Sequence, residues 1–249
     1  MQVVRALAGA VAFLTRIPVG RLVELDAGDV ARGAPALPLV GGGIGALVAV
    51  IAEGAGHELP ALVAAGLGLA VGAALTGALH LDALADAADA LTKRGDAALA
   101  IMRDHSIGTY GATALFLDLL VKAGALATLV AGAGAVGPAT AAGALARAVP
   151  LVVASALPSV REDGIGSSVA RRVSRAGVAA SVAVAVALSL LAGPVTGLEL
   201  SGVAAALTVA AILFYRHWLG GVTGDLLGAA TEVTETGLLV VAAAILVGA

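Results

Sequence analysis

The 249 residues are 60% hydrophobic and only 12% charged, with a mean hydropathy of +1.04. Soluble domains carry about 25% charged residues, so the composition excludes an ordinary water-soluble domain and points to a single integral membrane domain over 1–249. A formal net charge of −3 says little about partners, nucleic acid is not expected among them, and the lack of Cys excludes disulfides, a thiolate nucleophile and Cys-ligated metal centres.

The first apolar stretch, Val3 to Leu14, contains Arg5, is followed by Arg16 and stops at Pro18. Roughly a dozen residues fall short of the about 20 needed to cross a bilayer. An interfacial or partly inserted helix is therefore expected, with residues 1–36 forming this helix and a cytoplasmic segment. A cleaved signal peptide is disfavoured, because charges follow the apolar core with no small-residue cleavage site.

Seven apolar runs follow, near 37–55, 60–79, 107–132, 137–157, 176–194, 199–215 and 229–249. The expected fold is an all-α, polytopic integral membrane helix bundle of about seven transmembrane helices plus the N-terminal interfacial helix. With 2% aromatics and 34 glycines, the helices should pack through small residues, as Gly41, Gly42, Gly43 and Gly45 suggest in the first span. Self-association into a homo-oligomer is left open.

Basic residues alternate between connections. Arg16, Arg21, Arg32, Lys93, Arg94, Arg103, Arg161, Arg171, Arg172, Arg175 and Arg216 all fall before the first span or in every second connection, while GHEL, GAGAV and GPVTG hold none. The positive-inside rule then places the N-terminus in the cytoplasm of a cell (inner) membrane protein and the C-terminus outside. The connections 80–106, 158–175 and 216–228 become cytoplasmic loops expected to carry the site.

The segment His80 to Gly111 concentrates charge between two apolar runs. Asp82, Asp86 and Asp89 stand at i, i+4 and i+7, within about 60° of arc on one helical stripe. Three aligned carboxylates repel one another unless a cation lies between them. Hard oxygen donors suit Mg²⁺ or Mn²⁺, and Mg²⁺ usually joins a few carboxylates to substrate phosphates. A bland solvated face is the competing explanation. His80 is a candidate proton carrier or orienting group. Further on, Arg103 and Asp104 precede Ser106, Gly108, Thr109 and Gly111, whose amides and hydroxyls could cradle phosphate at the start of the third span.

A second acidic stripe enters the last span. In GGVTGDLLGAATEVTE, Asp225 and Glu232 share a helix face and Glu235 lies about 60° away, which would complete a two-metal site or hold one metal from the far side. Within the spans, Asp118 and Lys122 at i, i+4 read as a structural ion pair. Arg147 has no sequence partner and is a candidate for binding substrate. Arg161, with Gly164 and Gly166, offers a flexible basic loop for anionic groups.

Taken in order, these motifs resemble the integral-membrane cobalamin synthases, also called adenosylcobinamide-GDP ribazoletransferases. The family's FLTR-hydrophobic-P start is similar to Phe13–Pro18, its HLD-G-LAD-x-xD core to His80–Asp89, its M-[KR]-D-x-x-IGT-[FY]-G to Met102–Gly111, and its GGVTGD-hydrophobic-LGA-x-x-E-x-x-E ending to Gly220–Glu235. Ala83 and Ala90 stand where glycines are usual, His105 and Ser106 replace a common Ser-Arg, and a frequent GRW is reduced to Ala146, Arg147 and Ala148. The carboxylates survive all of these departures.

The resemblance implies that α-ribazole, or its 5′-phosphate, is joined to adenosylcobinamide-GDP with release of GMP and a requirement for Mg²⁺. Asp82, Asp86, Asp89, Asp225 and Glu232 are then the expected metal ligands. Arg103, Arg147 and Arg161 would neutralise phosphate oxygens, with Thr109 and Thr223 as further substrate contacts. His80, Asp104 or one of the carboxylates would take the hydroxyl proton. A lipid phosphotransferase of the CDP-alcohol type would also use an aspartate stripe, but its DG-x2-AR opening is absent. A transporter would explain the buried charges, yet the apolar segments show no halved repeat.

Overall fold

The computed structural model describes residues 2–19, 27–104, 106–132, 134–160 and 172–248. Arg21, His105, Arg161, Gly164, Gly166 and Arg171 lie outside the described residues. The described chain is helical: α1 Gln2–Leu14, α2 Ala27–Arg32, α3 Leu37–Gly56, α4 Ala61–Thr76, α5 Leu79–Ala90, α6 Gly95–Ile101, α7 Thr109–Ala131, α8 Val136–Ala156, α9 Arg175–Ser189, α10 Pro194–Trp218 and α11 Gly224–Gly248. Six helical segments, α3 and α7 to α11, are long and apolar enough to cross a membrane, and α4 with α5 makes a seventh if that bent pair is counted as one span.

The bend is the main departure from the expected boundaries. The second run is apolar to its end, but α4 stops at Thr76 and the chain turns through 90° into α5. Two successive left-handed residues make the corner, Gly77 at φ 63° and Ala78 at φ 58°. The first is natural for glycine, whereas the second costs a residue with a Cβ about 1–2 kcal/mol. The corner is held from both sides. Ala78 N–H donates to the Ala73 carbonyl at 2.9 Å, a Schellman-type closure, and Arg16 N–H donates to the Leu75 carbonyl at 2.7 Å. The start of the expected cytoplasmic loop is thus a packed helix wedged against α7 and α11.

The last two spans also differ in extent. Only Gly193, at φ 105°, separates the short 3₁₀ turn after α9 from α10. The last helix begins at Gly224, so Glu232 and Glu235 sit two to three turns inside it and not at its mouth.

Helix α8 is the most enclosed span, packed against α3, α9, α10 and α11. Its approach to α3 depends on small residues. A Cβ on Gly41 would strike the Gly143 carbonyl, one on Gly45 the Ala139 carbonyl, and one on Gly42 would come within 3.3 Å of the Thr140 carbonyl. Gly43 faces open space. This is the close backbone contact expected of membrane helices, where dispersion and not the hydrophobic effect joins apolar surfaces.

Candidate active site

Helix α5 is amphipathic in a chain that has few amphipathic helices. Its alanines form the underside: Ala87 and Ala90 join Leu226, Leu227, Ala229 and Ala230 of α11 in one apolar cluster. Ala83 lies so close to α11 that a Cβ on Gly228 would overlap its methyl group. The aspartates occupy the other side, Asp82 exposed and Asp86 and Asp89 half-buried. The stripe inferred from spacing therefore exists, because alanine at the intervening positions lets α5 lie flat against its neighbours.

Asp89 is engaged by the following segment. One carboxylate oxygen accepts the Gly108 N–H at 2.7 Å and the other accepts the Gly111 N–H at 2.8 Å. Two amides expected to cradle phosphate at the start of α7 are thus occupied by this side chain, which supplies negative charge where a helix N-terminus favours it. Thr109 lies between them and is exposed, as are Arg103 and Asp104. Asp104 folds the turn locally by accepting the Ser106 N–H at 3.1 Å and the Ser106 hydroxyl.

The turn before α11 closes on the same region. Thr223 is fully buried; its hydroxyl accepts the Leu226 N–H at 3.2 Å, capping α11, and lies 3.7 Å from Met102 Sδ. Asp225, in the first turn of α11, is half-buried. Pro158–Val160 pair with this turn through Val222 N–H to the Pro158 carbonyl at 2.9 Å and Val160 N–H to the Val222 carbonyl at 3.0 Å. Trp218 Nε1 donates to the Lys93 carbonyl at 2.7 Å, tying the end of α10 to the segment after α5. The Trp218–Lys93 and Thr223–Met102 contacts join residues more than 100 positions apart, and no local pattern signals them.

The remaining expected site residues lie deeper. Glu232 pairs with Lys122, which also faces Asp118 at 3.6 Å. Arg147 pairs with Glu235 and reaches the Gly143 carbonyl at 3.4 Å. Thr236 donates its hydroxyl to Asp118. His80 is 8% exposed and lines, with Lys122, Arg147, Glu232 and Glu235, a cavity of about 50 Å³. That volume holds a few waters and no nucleotide or corrinoid, since sites for drug-sized ligands span roughly 300–1,000 Å³. His80, Arg147 and Glu232 thus line one cavity whose lining does not include Asp82, Asp86, Arg103, Asp104 or Thr109. The Asp118–Lys122 pair is formed as its spacing implied; Glu232 and Glu235 as the cross-helix partners required the fold.

Among the described residues, no three His, Asp or Glu side chains converge in a form that could hold a metal ion by themselves. The donors on the acidic face are nevertheless of the right kind for a hard cation. Mg²⁺ is commonly held by one or two carboxylates with substrate phosphates and water completing its shell.

The cobalamin-5-phosphate synthase family model matches residues 6–243. The chain belongs to that family. It is 38% identical over 245 residues to the adenosylcobinamide-GDP ribazoletransferase of Azorhizobium caulinodans, covering 92% of both chains. With the enzymes of that name from Bradyrhizobium diazoefficiens and Pseudomonas aeruginosa it shares 38% identity over 247 residues and 36% over 251, covering 96% of this chain in each case and 93% and 98% of the relatives. No solved structure matches the chain. The family match spans the segments that build the acidic face, from Asp82 to Asp225.

Proposed function

We propose that this chain joins α-ribazole, or its 5′-phosphate, to adenosylcobinamide-GDP and releases GMP, on the face built by α5, the 102–111 segment and the turn before α11. The observation that carries this reading is the Asp89 bridge to Gly108 and Gly111, which brings two separate family motifs onto one surface. The bland alternative, a solvated acidic patch, does not account for an aspartate committed to folding the adjacent polar loop.

In this reading the acceptor's ribose hydroxyl attacks the phosphorus that carries the cobinamide. One P–O bond forms, the P–O bond to GMP breaks, and the hydroxyl proton passes to Asp104 or another carboxylate of the face. Arg103, exposed beside Asp104, offsets phosphate charge. Asp82, Asp86 and Asp225 are the residues that would hold Mg²⁺, being carboxylates on the exposed side of α5 and at the start of α11. When bound, Mg²⁺ would offset diphosphate charge as GMP leaves. His80, Arg147 and Glu232 support the helices beneath. The corrinoid and nucleotide lie outside the small cavity lined by His80, on the cytoplasmic face to which the basic connections point.

The deciding experiment is GMP release by purified, detergent-solubilised protein supplied with adenosylcobinamide-GDP and α-ribazole, with and without Mg²⁺, beside Asp86→Ala. Mg²⁺-dependent release that the variant loses supports both reaction and site. No release from folded protein would reject the reaction.

A further inference from the structure

We infer that Asp89 is a positioning residue and not a metal ligand: its carboxylate clamps the Gly108–Gly111 turn and so sets where Arg103, Asp104 and Thr109 stand in the reaction proposed above, on which this inference rests.

The spacing of Asp82, Asp86 and Asp89 makes the three carboxylates look equivalent, and two backbone contacts set Asp89 apart from exposed Asp82. Asp89 gives one oxygen to each of two backbone amides, at 2.7 and 2.8 Å, distances typical of charge-assisted hydrogen bonds. The receiving positions are shaped for it. A Cβ on Gly108 would overlap the Asp89 carboxylate, and one on Gly111 would overlap the same group and come within 2.9 Å of the Ala85 carbonyl. Glycine at both positions is what allows the carboxylate to reach the backbone. Gly108 also has extended backbone at φ −93°, ψ −178°, so its need for glycine is contact and not conformation.

The consequence is mechanical. The 102–111 segment carries an exposed Arg and an exposed Asp, and it is fastened at its start by buried Met102 and at its end by Asp89. Releasing the second fastening lets the segment sample many arrangements, so the fraction with Arg103 and Asp104 correctly placed falls. A preorganised site loses rate when its supports are removed, even though every reacting group is still present. The metal response belongs to Asp82 and Asp86 and stays as it was.

The test uses the full chain in detergent and compares Asp89→Ala, Gly108→Ala and Asp82→Ala with the parent. Gly108→Ala displaces the clamp from the loop side while the chain keeps the Asp89 carboxylate as a candidate metal ligand. Two quantities are measured: backbone amide exchange over 106–112 without substrate, and GMP release as a function of Mg²⁺ and of acceptor. Asp89→Ala and Gly108→Ala should both speed exchange by about tenfold or more, the factor expected from losing a charge-assisted hydrogen bond. Both should lower kcat with the Mg²⁺ concentration for half-maximal rate unchanged. Asp82→Ala should leave exchange unchanged and lose the Mg²⁺ response. Unaltered exchange in Asp89→Ala together with a raised Mg²⁺ requirement would overturn the inference and make Asp89 a ligand. If Asp89→Ala does not fold, Gly108→Ala decides: slow exchange and normal kcat would equally reject the clamp. Absence of GMP release from the parent would reject the reaction instead, and with it the positioning role, while the exchange comparison still judges the clamp itself.

Discussion

Lys122 in α7 and Glu232 in α11 form a buried ion pair across 110 positions of chain. Asp118 and Thr236 extend it, and Arg147 with Glu235 repeats the arrangement one turn further along α11. In an apolar environment a single charge is prohibitive to bury, so each partner is held by the other, and α7, α8 and α11 are fixed in register as a result.

Lys122→Ala should therefore lower stability by about 3–5 kcal/mol, the usual effect of leaving a buried charge unpaired. Lys122→Met combined with Glu232→Gln should recover part of that loss, with Asp118 left without its cation. Thermal unfolding in detergent checks it; additive losses in the double variant would mean the two residues do not interact.

Asp118→Asn should mainly reduce stability, since Asp118 is shielded from the acidic face by its contacts to Lys122 and Thr236. A variant as stable as the parent yet devoid of GMP release would assign Asp118 to the chemistry.

Asp82→Ala and Asp86→Ala should each abolish turnover while the protein still inserts and folds, because Ala83, Ala87 and Ala90 on the underside of α5 pack on α11. Near-normal rates in both would remove the acidic stripe from the mechanism.

Gly45→Leu should destabilise the bundle by about 1–3 kcal/mol or more, the range for overpacking, because the Ala139 carbonyl already occupies the space of a Cβ. Gly43→Leu on the same helix faces open space and should be nearly neutral. Equal melting temperatures for the two variants would mean α3 and α8 are not in close contact.

The chain contains no Cys, so single cysteines report topology without background. Glu58→Cys should react with an impermeant maleimide in intact cells and Lys93→Cys only after permeabilisation. The reverse pattern would invert the orientation drawn from the basic residues.

The amino-acid sequence by itself determined the class of molecule and the list of chemical groups. Hydropathy marks the spans because a bilayer requires a long apolar run for each crossing. The period of Asp82, Asp86 and Asp89 marks a helical face because side-chain direction follows from 3.6 residues per turn. The four ordered motifs marked the family. Tertiary structure alone decided what each group does. Nothing local distinguishes Asp89 from Asp82, since the difference is a pair of glycine amides 19 and 22 positions away. Nothing local shows that Glu232 meets Lys122 or that Glu235 meets Arg147, because hydropathy sees only that a charge is buried and not which helix brings its partner. The 90° corner at Gly77 and Ala78 escaped the apolar count for the same reason. Composition is continuous across it, and the turn depends on a left-handed alanine and on the Arg16 N–H bond to the Leu75 carbonyl, a contact that exists only once the residues after α1 have reached the end of α4.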